Sequence, residues 1–399
     1  MLNVKDKNKC SGCKACYNIC PKNGIKMVTD EEGFWYPKVN EDICIQCGLC
    51  EKVCPEINVY NNDKSYDKPM VLAAWNKDKD KRIASSSGGI FLSIGEWIIS
   101  QDGVVFGAGY DNNFQVIHKE VRSLEELDEL KGSKYVQSDI NDSYMKTKAN
   151  LGNNKKVLFV GTPCQIAGLY NYLQKDYNNL FTCDLVCHGV PSPEVFKRYI
   201  GWLEKIYGSR IKRIAFRHKK YGWKLYSVSF QFENDTEYSK ILKEDPYLLG
   251  FLRDYYLRPS CYTCIYAKLP RISDITLGDF WGVANRYPEL DDDKGTSLLL
   301  INSNKGKCLL ENCKDSIYIF HCDLEHAIRG NPCIVKPVNR PKLREKFFED
   351  FGNKDFEYVM KKYLNPPSWI ERQIIVIRKV FGFIRRKIMR HFQISKDNN

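Results

Sequence analysis

Cys10-Ser-Gly-Cys13-Lys-Ala-Cys16-Tyr-Asn-Ile-Cys20-Pro21 and Cys44-Ile-Gln-Cys47-Gly-Leu-Cys50-Glu-Lys-Val-Cys54-Pro55 are two copies of one pattern, C-x2-C-x2-C-x3-C-P. Together they hold eight of the chain's 17 cysteines. Two-residue gaps let one tight loop deliver three thiolates to the corners of a tetrahedron, and a fourth must come from elsewhere. Paired zinc knuckles use separate C-x2-C pairs instead. A disulfide framework suits a short exported chain, and residues 1–9 carry no apolar stretch of the kind that directs export.

The doubled pattern is the spacing of two-cluster bacterial ferredoxins, in which the fourth cysteine of each copy serves the other cluster. The expected ligand sets are therefore Cys10, Cys13, Cys16 and Cys54 for one 4Fe-4S centre, and Cys44, Cys47, Cys50 and Cys20 for the other. The fourth cysteine is expected to open a short helix. Such a module moves electrons and does no substrate chemistry itself.

The 399-residue chain has 43% hydrophobic and 13% aromatic residues, which fits a globular protein of two or three domains. Many cysteines without an export signal point to metal-bound thiols in a cytoplasmic, reducing setting. The formal charge of +12 is local: between Trp369 and Phe392 seven Lys/Arg face one acidic residue. Nucleic-acid binding is a poor inference, since the aromatic residues there share the apolar face. Ile370, Ile374, Ile377, Phe381, Ile384 and Ile388 instead predict a basic amphipathic helix, with peripheral membrane contact or docking as its alternative uses.

Residues 1–60 read as the ferredoxin domain, with a small hairpin across 27–36. Residues 70–150 and 151–338 read as two parts of an α/β (mixed α+β) core, and 339–399 as a helical tail. Ser85-Ser-Ser87-Gly88-Gly89 ahead of an amphipathic run predicts a hydroxyl-capped helix start, open to a phosphate or merely an ordinary cap. Lys156–Gly161, then Thr162-Pro-Cys164, reads as strand, turn and helix. A strand holding Cys183 and Cys187 follows, then His188-Gly-Val-Pro and a helix over 194–207. A helix is expected near 247–257. Gly107-x-Gly109 lies in a strand without a following helix, so it is no dinucleotide fingerprint, and no Walker-type loop occurs.

By spacing alone Cys164, Cys187, Cys261 and Cys264 are ordinary buried cysteines, with Cys183 competing for the place of Cys187. The phrases Ser87-Gly-Gly89, Lys131-Gly-Ser-Lys-Tyr135, Gly161-Thr-Pro-Cys-Gln165, Cys187-His-Gly-Val-Pro-Ser192 and Cys261-x-x-Cys264 with Gly278-Asp-Phe-Trp-Gly282 resemble the beta-subunit family of coenzyme F420 hydrogenases and dehydrogenases. The resemblance spans about residues 70–340, in family order. It implies a flavoprotein with FAD beside a further 4Fe-4S cluster. On that basis Cys164, Cys187, Cys261 and Cys264 become ligands, and Ser87, Gly88, Gly89, Lys134 and Thr162 become flavin contacts.

Chemistry gives a separate reason to expect a flavin: clusters pass single electrons, whereas most organic reductions need two. His188 is the residue to test as proton donor or flavin neighbour, against a purely structural role. Asp279 is read as a proton relay or a loop-capping carboxylate. The expected function is an iron–sulfur flavoprotein oxidoreductase acting on a small organic substrate or a deazaflavin. The alternative is a non-catalytic subunit relaying electrons for a hydrogenase- or dehydrogenase-like partner. A redox partner is expected in both: a ferredoxin, a deazaflavin or a partner subunit.

Overall fold

A computed structural model describes residues 4–365. The amphipathic helix expected beyond Trp369 lies outside those residues. Among the described residues no helix is long and apolar enough to cross a membrane.

The amino-terminal module pairs β1 (Ile25–Thr29) with β2 (Trp35–Val39) in an antiparallel hairpin between the two cysteine copies. The short helices lie before the fourth cysteines rather than after them, over Ala15–Ile19 and Leu49–Lys52. Pro21 and Pro55 account for the correction. The residue before a proline is pushed out of helical conformation, and Cys20 is extended at φ −69°, ψ 111°.

The core is one eight-stranded mixed sheet. Its members are β3 (Met70–Asn76), β4 (Val104–Tyr110), β5 (Val116–Val121), β6 (Val157–Gly161), β7 (Leu180–Leu185) and three later strands. A separate antiparallel sheet of β8 (Ile211–His218), β9 (Ser227–Phe232) and β10 (Glu237–Ile241) intervenes in the chain. The large sheet is completed by β11 (Ile275–Asp279), β12 (Ser297–Ile301) and β13 (Ile317–His321), in the order β13-β3-β12-β11-β7-β6-β4-β5. Strands β4, β6, β7 and β11 run parallel, and antiparallel strands flank them. Parallel central strands are buried on both faces and read as continuous apolar runs, as Val157-Leu-Phe-Val-Gly161 does.

The helix Pro163–Leu173 joins β6 to β7, so the turns after these neighbouring strands open at the same sheet edge. That edge is where open α/β sheets place their reactive groups. The helix expected to reach Leu257 stops at Leu252. Residues 256–258 are needed elsewhere: Ser192 N–H donates to the Tyr256 carbonyl and Arg258 N–H to that of Val190.

Beneath this edge, Arg271 and Asp184 form an ion pair of 2.8 Å whose side chains are 1% and 0% exposed. Burial pushes the Asp184 carboxyl up, and Arg271 works against that shift. Arg271→Met should therefore destabilise the chain by about 3 kcal/mol in chemical denaturation at neutral pH, because it strands a buried carboxylate. The deficit should shrink as the pH falls and Asp184 takes up a proton.

Candidate metal centres

The two cysteine loops share an unusual backbone. Gly12 and Lys14 adopt left-handed conformations in the first copy, at φ 69° and 59°. Gln46 and Gly48, 34 positions later, do the same at 53° and 73°. Alternating left-handed residues wrap a loop around a point and turn N–H groups inward, forming the kind of nest that receives negative sulfur. Gly12 is held to glycine twice over, since a Cβ there would lie 2.4 Å from Gln137 Nε2 and 2.8 Å from Arg258 Nη1.

Cys10, Cys13, Cys16 and Cys54 line one cavity of about 290 Å³. Cys20, Cys44, Cys47 and Cys50 line another. Each fourth cysteine thus faces the other copy's three. Burial lifts the Cys13 thiol well above its ordinary range; the Ala15 N–H opposes this, and the charges of Cys16, Cys54 and Cys164 add to it. Burial also raises Cys16, with Cys10, Cys54 and Cys50 acting in the same direction. The Gly24 N–H reaches Cys20 Sγ at 3.2 Å.

Cys164, Cys187, Cys261 and Cys264 form a third group at the sheet edge. Cys164 opens the helix after β6, and its Sγ lies 3.2 Å from Thr162 Oγ1. Cys187 lies two residues beyond β7. The pairing of residues 256–258 with 190–192 brings Cys261 alongside, where its sulfur accepts the Val190 N–H at 3.4 Å. Burial raises the Cys187 thiol far above its usual range, and Cys261, Cys164 and Cys264 reinforce the shift. Burial pushes Cys261 up to about 12. Cys183 sits inside β7, fully buried in the apolar core, and its charged neighbours are Asp274, Asp184 and Cys313.

The donor chemistry of all three sets is that of soft thiolate sites, with backbone N–H groups aimed at several sulfurs, and it suits iron–sulfur clusters. Among the described residues, no three or more His, Cys, Asp or Glu side chains close on one point as they would around a single metal ion.

The expected flavin contacts are engaged differently. The helix Ile90–Ser100 is capped by Gly89 at φ 85°, with no side-chain cap, which corrects the hydroxyl-capped start. Gly88 donates its N–H to Ser297 Oγ at 2.8 Å, and a Cβ there would meet the Ala74 carbonyl at 2.4 Å. The Ser-Gly-Gly loop and the Lys131–Tyr135 loop do meet, through Ser133 N–H and Ser86 Oγ at 2.7 Å. Lys134 Nζ donates to the carbonyls of Glu129, Leu130 and Lys131, and burial draws it down to about 7. Thr162 caps its helix. In this loop Ser87 Oγ is buried without a hydrogen-bond partner among the described residues, and that observation fits a bound ligand.

His188 Nε2 lies 2.6 Å from Asp254 Oδ1. Burial disfavours its charge, but Asp254 and Cys333 outweigh that and lift the imidazole to about 9. Both oxygens of Asp279 are engaged: Arg217 holds them at 2.6 and 3.1 Å, and Trp223 Nε1 donates at 2.8 Å. Sequence reasoning missed Arg258, Gln137 and Arg217. An arginine three residues before a C-x2-C pair was the available signal for the first.

Residues 154–327 match the family described as the carboxy terminus of the coenzyme F420 hydrogenase/dehydrogenase beta subunit. Residues 9–57 match the 4Fe-4S dicluster domain. The chain is similar to an uncharacterized protein of Methanocaldococcus jannaschii, with 27% identity over 199 residues, 43% of this chain and 55% of that protein. It is also similar to the coenzyme F420-dependent sulfite reductase of that organism, with 26% identity over 197 residues, 47% of this chain and 29% of the enzyme. The chain thus spans about half or less of these relatives. Among solved structures, a chain of the F420-reducing NiFe hydrogenase complex from Methanosarcina barkeri aligns at a TM-score of 0.45 and 17% identity, covering 69% of this chain and 93% of that one.

These matches relate residues 9–57 to iron–sulfur electron-transfer domains and residues 154–327 to an oxidoreductase family. Residues 154–327 thus carry the domain named for the carboxy terminus of the coenzyme F420 hydrogenase/dehydrogenase beta subunit, with the 4Fe-4S dicluster domain on its amino-terminal side.

The crossed arrangement of cysteines makes a selective prediction. Cys20→Ser lies in the first copy but should deplete the centre of Cys44, Cys47 and Cys50. Cys54→Ser should deplete the centre of Cys10, Cys13 and Cys16. Electron paramagnetic resonance of the dithionite-reduced proteins checks this, and loss of the centre belonging to the mutated copy would contradict it.

Proposed function

We propose that this protein is an iron–sulfur flavoprotein oxidoreductase that exchanges electrons between a redox partner and a small organic substrate or deazaflavin coenzyme. The observation that supports it most is the grouping of twelve cysteines into three sets of four, laid out from the surface to the sheet edge. Cys47 of the outer set is exposed, as are Ile43 at 44% and Ile45 at 58%. The inner set abuts the core set: the charge of Cys164 reaches Cys13, and a Cβ on Gly168, in the helix that begins beside Cys164, would lie 3.0 Å from Cys13 Sγ.

Clusters in these sets would supply one-electron transfer, and FAD at the sheet edge would convert single electrons to pairs. Cys10, Cys13, Cys16 and Cys54 would hold the inner cluster; Cys20, Cys44, Cys47 and Cys50 the outer; and Cys164, Cys187, Cys261 and Cys264 the core one. Ser87, with Gly88 and Gly89 setting its loop, is the flavin contact best supported, and Lys134 and Thr162 are the further candidates. His188, whose charged form Asp254 favours, is the residue proposed to donate a proton beside Cys187. Asp279 fixes the Arg217 guanidinium and so orients polar groups near the flavin loop. The exposed outer edge suits docking by a ferredoxin or a partner subunit, and a cytoplasmic setting fits the unpaired thiols.

Purification under strict exclusion of oxygen, with iron and flavin counts, tests the reading. About twelve irons and one flavin per chain are expected, and Cys164→Ser should lower the iron by about four. About eight irons in the parent protein would remove the core centre. A flavin-free preparation that still reduces substrate would remove the FAD.

A further inference from the structure

Five arginines are buried among the described residues, and four of them have a carboxylate: Arg82 with Asp292, Arg217 with Asp279, Arg271 with Asp184 and Arg344 with Glu32. Arg258 is the exception. It is 0% exposed, and among the described residues it makes no ion pair with a carboxylate. Glu56 feels its charge but does not bond to it. A buried cation without a countercharge is expensive, and structures keep one only where another anion compensates.

The surroundings of Arg258 identify that anion. Nε donates to the Cys10 carbonyl at 2.7 Å, and Nη2 to the Trp35 carbonyl at 2.9 Å. Nη1 donates to Gln137 Oε1 at 3.0 Å. Nη2 also reaches Cys10 Sγ at 3.5 Å. The Tyr36 ring lies 4.3 Å from Cζ and fixes the guanidinium plane. Arg258 belongs to the loop of Cys261, whose N–H donates to the Arg258 carbonyl. One charge therefore stands between the first cysteine of the amino-terminal module and the first of the C-x2-C pair in the core.

We propose that Arg258 is a positioning residue that serves as countercharge to the centre held by Cys10, Cys13, Cys16 and Cys54, raising its reduction potential above that of the outer centre. The inference rests on the reading that these cysteines hold a 4Fe-4S cluster. Reduction adds one electron and no proton. The added negative charge lies beside a guanidinium that stays charged throughout, and net charge and hydrogen bonds to sulfur are what set such potentials. An electron arriving at the exposed edge would then run inward.

The test is potentiometric titration of the anaerobically purified, iron-loaded protein, followed by electron paramagnetic resonance. Signals are assigned with the Cys20→Ser and Cys54→Ser variants. Arg258→Gln removes the charge. Gln137→Glu changes shape little and neutralises the same guanidinium with a carboxylate. Both should lower the inner midpoint by about 59 mV, a tenfold fall in the one-electron reduction constant, and leave the outer midpoint in place. Arg258→Lys should shift it less. If Arg258→Gln fails to load iron, Gln137→Glu decides. A fully loaded Gln137→Glu protein with the parent's midpoints would overturn the proposal. A parent protein without iron in these sets would overturn the cluster reading first, and this inference with it.

Discussion

Buried sulfur that resists ionisation is the constraint on which this molecule is built. Burial raises Cys13, Cys16, Cys54, Cys164, Cys187, Cys261 and Cys264, and in most of them neighbouring thiolates add to the effect. Left to themselves, such groups stay protonated, because ionising several of them in one small volume costs both desolvation and mutual repulsion. Yet backbone N–H groups of Ala15, Tyr17, Gly189 and Tyr266 act on these sulfurs and favour the thiolate. A cage that favours thiolate locally and penalises it collectively suits a cationic metal, whose binding would drive proton release.

The sheet solves a problem of distance. Cys164, Cys187 and Cys261 are far apart in the chain, and no local turn could collect them. Parallel pairing of β6 with β7 puts the first two after neighbouring strands at one edge. The third arrives because residues 256–258 pair with 190–192, immediately beyond Cys187. The buried Arg271–Asp184 pair lies in the same layer, tying the segment before β11 to the end of β7. Positioning of the core cysteines is therefore a property of the whole fold.

This difference in range explains what the sequence disclosed. The grouping of the amino-terminal cysteines around two cavities follows from the sequence directly, because one loop with fixed gaps carries three of them and the repeat supplies the fourth. The α/β order was legible too, since Val157–Gly161 and the helix Pro193–Tyr207 announce their periods plainly. The short helices beside Cys20 and Cys54 were placed on the wrong side, where the prolines decided the geometry. The polar strand β10 was not anticipated, because Glu237-Tyr-Ser-Lys-Ile241 lacks an apolar face of its own and pairs only at a sheet edge. The choice between Cys183 and Cys187 needed the strand register, which no spacing supplies. Arg258 was invisible as a lone basic residue whose partners are distant backbone atoms.

The amino-terminal module is also less separable than its motif suggests. Lys14 pairs with Asp139, Glu32 with Arg344, and Tyr266 donates to the Pro55 carbonyl at 2.8 Å. Asn18 Nδ2 donates to the Asn141 carbonyl at 2.8 Å. A free ferredoxin surrounds its clusters with its own residues and with water, so its potentials are settled within one small domain. Here the cage of Cys10, Cys13, Cys16 and Cys54 has core residues for part of its wall, and Gly12 must remain small because Gln137 and Arg258 press against it. The outer cage, with Cys47 exposed, has no such wall among the described residues. Two cages built from the same repeat therefore stand in different electrostatic surroundings, with the buried Arg258 guanidinium beside Cys10 of the inner one.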